Sequence, residues 1–154
     1  RIHGVPQRNV TLAVPEAMGV VAMLMPDDHS LLALVTLAGT ALAMGNALVV
    51  VPSQKSPLTA TDFYQVLETS GVPHGTFNIV TGNRDELAKT LSEHEDVDSI
   101  WYAGPAAGQA AVQKASAANM KRTFVMDSGG ALPVMDDVLR EATQVKNIWV
   151  PYGA

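Results

Sequence analysis

Between Leu31 and Val51 the chain runs for 21 residues without a charged side chain, and few folds can absorb such a run. It is long enough to cross a bilayer. Gly45-Asn46 divides it, however, into a helix-sized piece and a β-branched, strand-sized piece, Ala47–Val51. Gly and Asn tolerate the left-handed backbone that ends a helix, and Pro52 cannot continue a ladder of hydrogen bonds. A buried helix feeding a buried strand gives the same hydropathy as a membrane span. The interruption favours that αβ reading, with no membrane partner.

The rest of the chain repeats the alternation. Val10–Val14 and Gly19–Met25 read as strands, the second ended by Pro26. Ser30 is placed to cap a helix running to about Met44, and Ala47–Val51 follows as a strand. Thr59-Ala60-Thr61-Asp62 opens a helix whose face is Phe63, Val66 and Leu67, with Gly71 as its stop. Phe77–Val80 is a strand, and Asn83-Arg84-Asp85-Glu86 resembles a capping box before a helix to about Leu91. Ser99–Tyr102 and Thr123–Met126 are strands on either side of an Ala-rich helix, Ala106–Asn119. Asp136–Glu141 looks helical and Ile148–Gly153 extended.

Apolar strands separated by helices of ten to fifteen residues imply parallel βαβ units covered on both faces. The expected fold is therefore α/β: a doubly wound, mostly parallel, Rossmann-like sheet in one domain over residues 1–154, with its core at about 10–127. Ligands of such sheets sit beyond the carboxyl ends of the strands. Those ends are Pro26-Asp27-Asp28-His29, Pro52-Ser53-Gln54-Lys55, Thr81-Gly82-Asn83 and Ala103-Gly104-Pro105.

Composition narrows the chemistry. The net charge is −5 and the ten Lys and Arg residues are scattered, which argues against nucleic acid. There is no cysteine. Disulfides, Cys metal sites and thiol catalysis by this chain are excluded, and a reducing, cytoplasmic setting fits. No metal site is expected. Residues 1–15 hold no apolar core of signal-peptide type.

Six motifs, in order, resemble the aldehyde dehydrogenase superfamily over about residues 16–135. They are Pro15-Glu16-Ala17-Met18-Gly19-Val20-Val21, Ala43-Met44-Gly45-Asn46, Pro52-Ser53-Gln54, the run Gly71 to Gly82, His94 to Ile100, and Asp127-Ser128-Gly129-Gly130. The resemblance implies the cofactor-binding domain of that family, with residues 128–154 a remnant of, or crossover toward, its catalytic domain. It also implies an NAD or NADP site at Pro52, Ser53 and Gln54 and at the loop glycines Gly104 and Gly108.

At the positions that would do chemistry the sequence departs from the family. Asp28 stands where a family Asn helps stabilise the aldehyde-derived oxyanion, and a carboxylate there would oppose negative charge. Val51 replaces the lysine that bonds the adenosine ribose, and Gln54 replaces an acidic residue. The phosphate loop is one residue shorter and carries Pro105 in place of Ser, removing one N–H. Asp127 aligns with the general-base Glu and Ala131 with the following Lys. The catalytic Cys has no counterpart.

The resemblance thus implies a catalytically degenerate module, similar to the second module of bimodular aldehyde dehydrogenases. Its expected role is structural, associated with an active aldehyde dehydrogenase module or with itself. The alternative is part of an NAD(P)-dependent aldehyde dehydrogenase whose thiol lies elsewhere in a longer protein. A nucleotide sensor without chemistry is a third reading. Gly45 and Gly129-Gly130 read first as turn and packing glycines. Asp27-Asp28-His29-Ser30 reads as a turn and helix N-cap, Asp136-Asp137 as a helix start, and His3, His74 and His94 as surface residues. Trp101 and Trp149 are candidates for a partner surface or a satellite core.

Overall fold

The apolar runs become strands of one sheet because each must be covered on two faces. The computed structural model describes residues 9–129 and 131–152. In it β2 (Val20–Leu24), β3 (Ala47–Val51), β4 (Phe77–Ile79), β5 (Ser99–Ala103) and β6 (Arg122–Met126) are all parallel, in the order β4-β3-β2-β5-β6. Register places Met23 of β2 between Val50 of β3 and Trp101 of β5.

Successive side chains of a strand point to opposite faces, and the two cores follow from that. On one face Val21, Met23, Leu48, Val50 and Trp101 pack with Leu34, Leu37, Ala41, Ala60, Leu67 and Val138. These come from the helices α2 (Gly39–Ala43), α3 (Leu58–Thr69) and α6 (Met135–Glu141), and from the π-helical turn Leu34–Ala38 that joins α1 (Ser30–Ala33) to α2. On the other face Ala22, Leu24, Val51, Ile100 and Tyr102 pack with Ala88 of α4 (Arg84–Glu93) and Val112 of α5 (Ala106–Ser116). Each fully buried large side chain contributes about 1.5–3 kcal/mol. Trp101 is in this interior, edge-on to Phe124 at 5.5 Å, so it belongs to the core and not to a partner surface.

The helix stops follow their chemistry. Gly45 takes φ 88°; its N–H donates to the Leu42 carbonyl and that of Asn46 to the Ala41 carbonyl, the paired bonds of a Schellman ending. Asn83 caps α4, its side-chain oxygen accepting from the N–H groups of Asp85 and Glu86. Two expected starts are corrected. Ser30 is the first residue of α1; the cap position is His29, left-handed at φ 52°, with no side-chain cap bond. The helix expected from Thr59 begins at Leu58 behind Pro57, whose fixed φ suits a helix start. The expected helix from Ser30 to about Met44 is present, but its centre widens into the π turn.

Asn46 ties the amino end of the sheet together. It is 3% exposed, accepts from the Gly19 N–H and donates to the carbonyls of Ala41 and Ala142. Arg122 adds a bond to the Thr143 carbonyl and an ion pair with Glu141 at 3.0 Å. Together they hold α6 and the start of the last strand against the sheet.

Beyond that anchor β7 (Thr143–Pro151) runs antiparallel to β1 (Asn9–Ala17) as a separate two-stranded ribbon, from Ala17 opposite Thr143 to Asn9 opposite Pro151. The strand expected at Val10–Val14 is thus longer and lies outside the main sheet. Leu12, Val14, Val145, Trp149 and Val150 of the ribbon are all more than 40% exposed.

Candidate functional site

The sheet reverses its winding between β2 and β5, so the crevice at their carboxyl ends is where a ligand of this fold sits. A carboxylate organises that edge. Asp27, just past β2, accepts from the Ser53 hydroxyl at 2.9 Å, from the Gln54 N–H at 2.9 Å and from Arg84 at 2.9 Å, with the Lys55 N–H at 3.4 Å. Arg84 also donates to the Met25 carbonyl. One side chain therefore joins the loops after β2 and β3 to the first turn of α4. Burial pushes the Asp27 carboxyl up, but the Ser53 hydroxyl, the Arg84 charge and the two backbone N–H groups outweigh it and hold it below 3.8.

The residues singled out from the sequence fall into three groups. Pro52 and Ser53 are buried, Ser53 in Asp27's network, while the Gln54 side chain is exposed. Val51 is packed into the core beneath α4 and α5, offering only methyl groups toward that face. Asp28 and Asp127 line the same cavity with Pro26, Ala103, Ser128 and Pro133, but its volume is about 20 Å³, room for roughly one water. Asp28 is mostly exposed and its nearest cation, Lys55, is 3.7 Å away, also exposed, so the pair is worth little. Asp127 accepts from the Gln109 side-chain amide at 3.0 Å; the same amide donates to the carbonyls of Gly104 and Met126.

Gly104 and Gly108 face inward. A Cβ on Gly104 would lie 2.5 Å from the Tyr102 hydroxyl, and one on Gly108 would overlap it. Tyr102 is 1% exposed, and its hydroxyl has no hydrogen-bond partner among the described residues. Burial, reinforced by the Asp85 charge, pushes this phenol above its ordinary value of 10.0 against the opposing effect of Arg84, so it remains a donor. Tyr102 lines a slot of about 410 Å³ between α4 and α5, walled by Ala88, Ala107, Ala111 and Val112, with Asp85 and Lys89 also lining it.

Asp27, Arg84, Tyr102 and Gln109 carry this edge; the sequence puts Asp27 at a strand end but gives none of the four a role there. The sequence offers Asp27 as part of a strand-end turn or cap and Arg84 as part of a capping box. His74 and His94 are exposed as expected, and Asp136-Asp137 do open a helix. Gly130 and His3 lie outside the described residues. No group of three or more metal-ligating side chains occurs among the described residues.

With order, register and edge in place, comparison with known proteins decides the family. The aldehyde dehydrogenase family matches residues 2–146. The chain belongs to the aldehyde dehydrogenase family. Among curated aldehyde dehydrogenases it is 36% identical over 122 residues to the NADP/NAD-dependent aldehyde dehydrogenase PuuC of Escherichia coli, covering 79% of this chain and 24% of that one. It is 36% identical over 132 residues to the aminoacetaldehyde dehydrogenase of Pseudomonas aeruginosa, 84% of this chain and 26% of that one. A mutant of aldehyde dehydrogenase C from Pseudomonas syringae, solved with NAD+ and octanal, superposes with a TM-score of 0.74 at 33% identity, over 80% of this chain and 25% of that one. The chain thus spans about a quarter of the length of these relatives.

Aldehyde dehydrogenases of this kind imply a nicotinamide dinucleotide, and the residues present fit one poorly. A pyrophosphate at the α5 N-terminus would meet Pro105, which has no N–H, and no side chain of the Pro105–Gly108 turn carries a hydroxyl or a positive charge. Asp85 places a carboxylate in the same slot. Below it, Val51 offers a ribose no donor.

Proposed function

We propose that this chain is a catalytically silent aldehyde dehydrogenase module whose role is structural or associative, packed against an active aldehyde dehydrogenase module or a second copy of itself. The observation that carries the reading is the β1–β7 ribbon. It displays Leu12, Val14, Val145, Trp149 and Val150 to solvent. A two-stranded ribbon with open edges is marginal alone, and apolar side chains on it gain from a covering surface. The strand-end edge supports the silent half of the reading. Asp28 puts a carboxylate where a developing oxyanion would need a donor, and the chain has no cysteine to attack an aldehyde. The cysteine-free chain suits a cytoplasmic setting; no described helix is long and apolar enough to cross a membrane.

Light scattering tests the association. The wild type is expected to form a dimer or larger species, and a Val145→Glu, Trp149→Glu variant to be monomeric with unchanged far-UV circular dichroism. A monodisperse wild-type monomer that also ignores an active aldehyde dehydrogenase module would sink the reading. A second reading rests on the chain covering about a quarter of its relatives. It is one part of an NAD(P)-dependent aldehyde dehydrogenase with its thiol supplied elsewhere. Aldehyde-dependent reduction of NAD(P)+ by the longer protein, lost on a Gly108→Trp block in this segment, would favour that second reading.

A further inference from the structure

We propose that the open edge of β4, with the groove beside it, receives an extended basic peptide segment of a partner protein as a further strand.

The backbone offers the pairing. β4 is the outer strand of the parallel sheet, and among the described residues no strand pairs with its far side. Its inner ladder is seen at both ends, where the Leu48 N–H donates to the Thr76 carbonyl and the Val80 N–H to the Val50 carbonyl. Ladder bonds alternate along a strand, so Phe77 and Ile79 turn their N–H and C=O groups outward, away from β3. Such edges are usually guarded by a charge, a Pro or a bulge. Phe77-Asn78-Ile79-Val80 has no charge and no Pro, and its register with β3 is unbroken.

The groove and its charge select the partner. α3 and β4 frame a groove of about 490 Å³, lined by Thr61, Tyr64, Phe77, Asn78, Ile79 and Thr81. An added strand lays alternate side chains into such a groove, and hydroxyls, rings and methyls suit uncharged ones. From Ser56 to Asn83 the chain has no Lys or Arg, whereas Asp62 and Glu68 stand exposed on α3. Glu68 borders the adjoining depression, which shares Tyr64 and Phe77 with the groove. A basic strand is drawn to that border, while a second copy of this chain would bring like carboxylates together. β4 is short, so its ladder supplies few bonds; affinity leans on the charge and falls with salt.

A fluorescence-anisotropy titration at low salt tests this with a capped peptide of Val-Lys repeats, and with Val-Glu repeats as the control. The Val-Lys peptide is expected to bind at least tenfold more tightly and to protect the Phe77 and Ile79 amides of the wild type from hydrogen exchange. Glu68→Lys, made on an exposed helix position, is expected to weaken binding about tenfold. Ile79→Pro removes an outward N–H without touching the ladder to β3, and is expected to abolish binding. No binding, equal binding of the two peptides, or binding that leaves the Phe77 and Ile79 amides unprotected would each overturn the inference. The exchange readout needs no substitution, so it decides the matter whatever Ile79→Pro does to the fold.

Discussion

The hydroxyl of Tyr102 occupies the space that a Cβ on Gly108 would need, so the glycine of the strand-end loop answers to a side chain of its own sheet. In a dinucleotide site a loop glycine lets the backbone approach phosphate. Here the same residue, with Gly104, lets α5 settle onto a phenol. Glycine at these positions is therefore explained without any ligand.

That fit is measurable. Gly108→Ala is expected to cost about 1–3 kcal/mol, because the added methyl must displace a fully buried ring. In a Tyr102→Phe background the cost should fall but not vanish, since ring carbons also lie close. Denaturant unfolding of the four proteins gives the coupling energy. Equal costs in both backgrounds would show that the hydroxyl is not the obstacle.

Asp27 gives the strand-end edge a dependence on pH. Its folded pKa is below 3.8, so its stabilisation is complete above that value and is lost as pH falls through the depressed one. Asp27→Asn keeps the shape but leaves Arg84 buried without its counter-charge, at a cost of about 1–3 kcal/mol near neutrality. The gap between wild type and variant should hold from pH 7 to 5 and close below about pH 4. A gap of constant size down to pH 2.5 would remove Asp27 from the argument.

Asn46 makes the opposite end of the sheet vulnerable. Asn46→Ala strands the Gly19 N–H and the Ala142 carbonyl, while the Ala41 carbonyl keeps the Asn46 N–H, and about 2–4 kcal/mol of stability is expected to go with the two orphaned groups. Hydrogen exchange should show the loss first in α6 and at Thr143, which Asn46 holds through Ala142. Uniform loss across the sheet would mean that the bond to the Ala142 carbonyl is dispensable.

What could be read in advance, and what could not, divides by distance along the chain. The stop at Gly45, the cap at Asn83 and the apolar strands are written in neighbouring residues, where periodicity and side-chain chemistry act directly. The Asp27–Arg84 bond spans 57 residues and depends on two loops arriving together. The ribbon depends on register between strands whose facing residues lie more than 120 apart, and no local pattern encodes a partner. Tyr102 reads in the sequence only as the end of a strand; the helix laid over it shows why two glycines follow. Trp101, next to it, suits a partner surface or a core equally in the sequence, because strand position alone does not say which layer covers a side chain.

The ribbon also decides how this unit responds to being pulled. Asn9 and Pro151 face each other at its far end, so the described chain enters and leaves at neighbouring points, about 5 Å apart. Tension between the two ends would fall first on the outermost rung and open the rungs one after another, like a zipper. The parallel sheet would bear no load until Ala17 and Thr143 had separated. Its most exposed element is thus also its mechanical fuse.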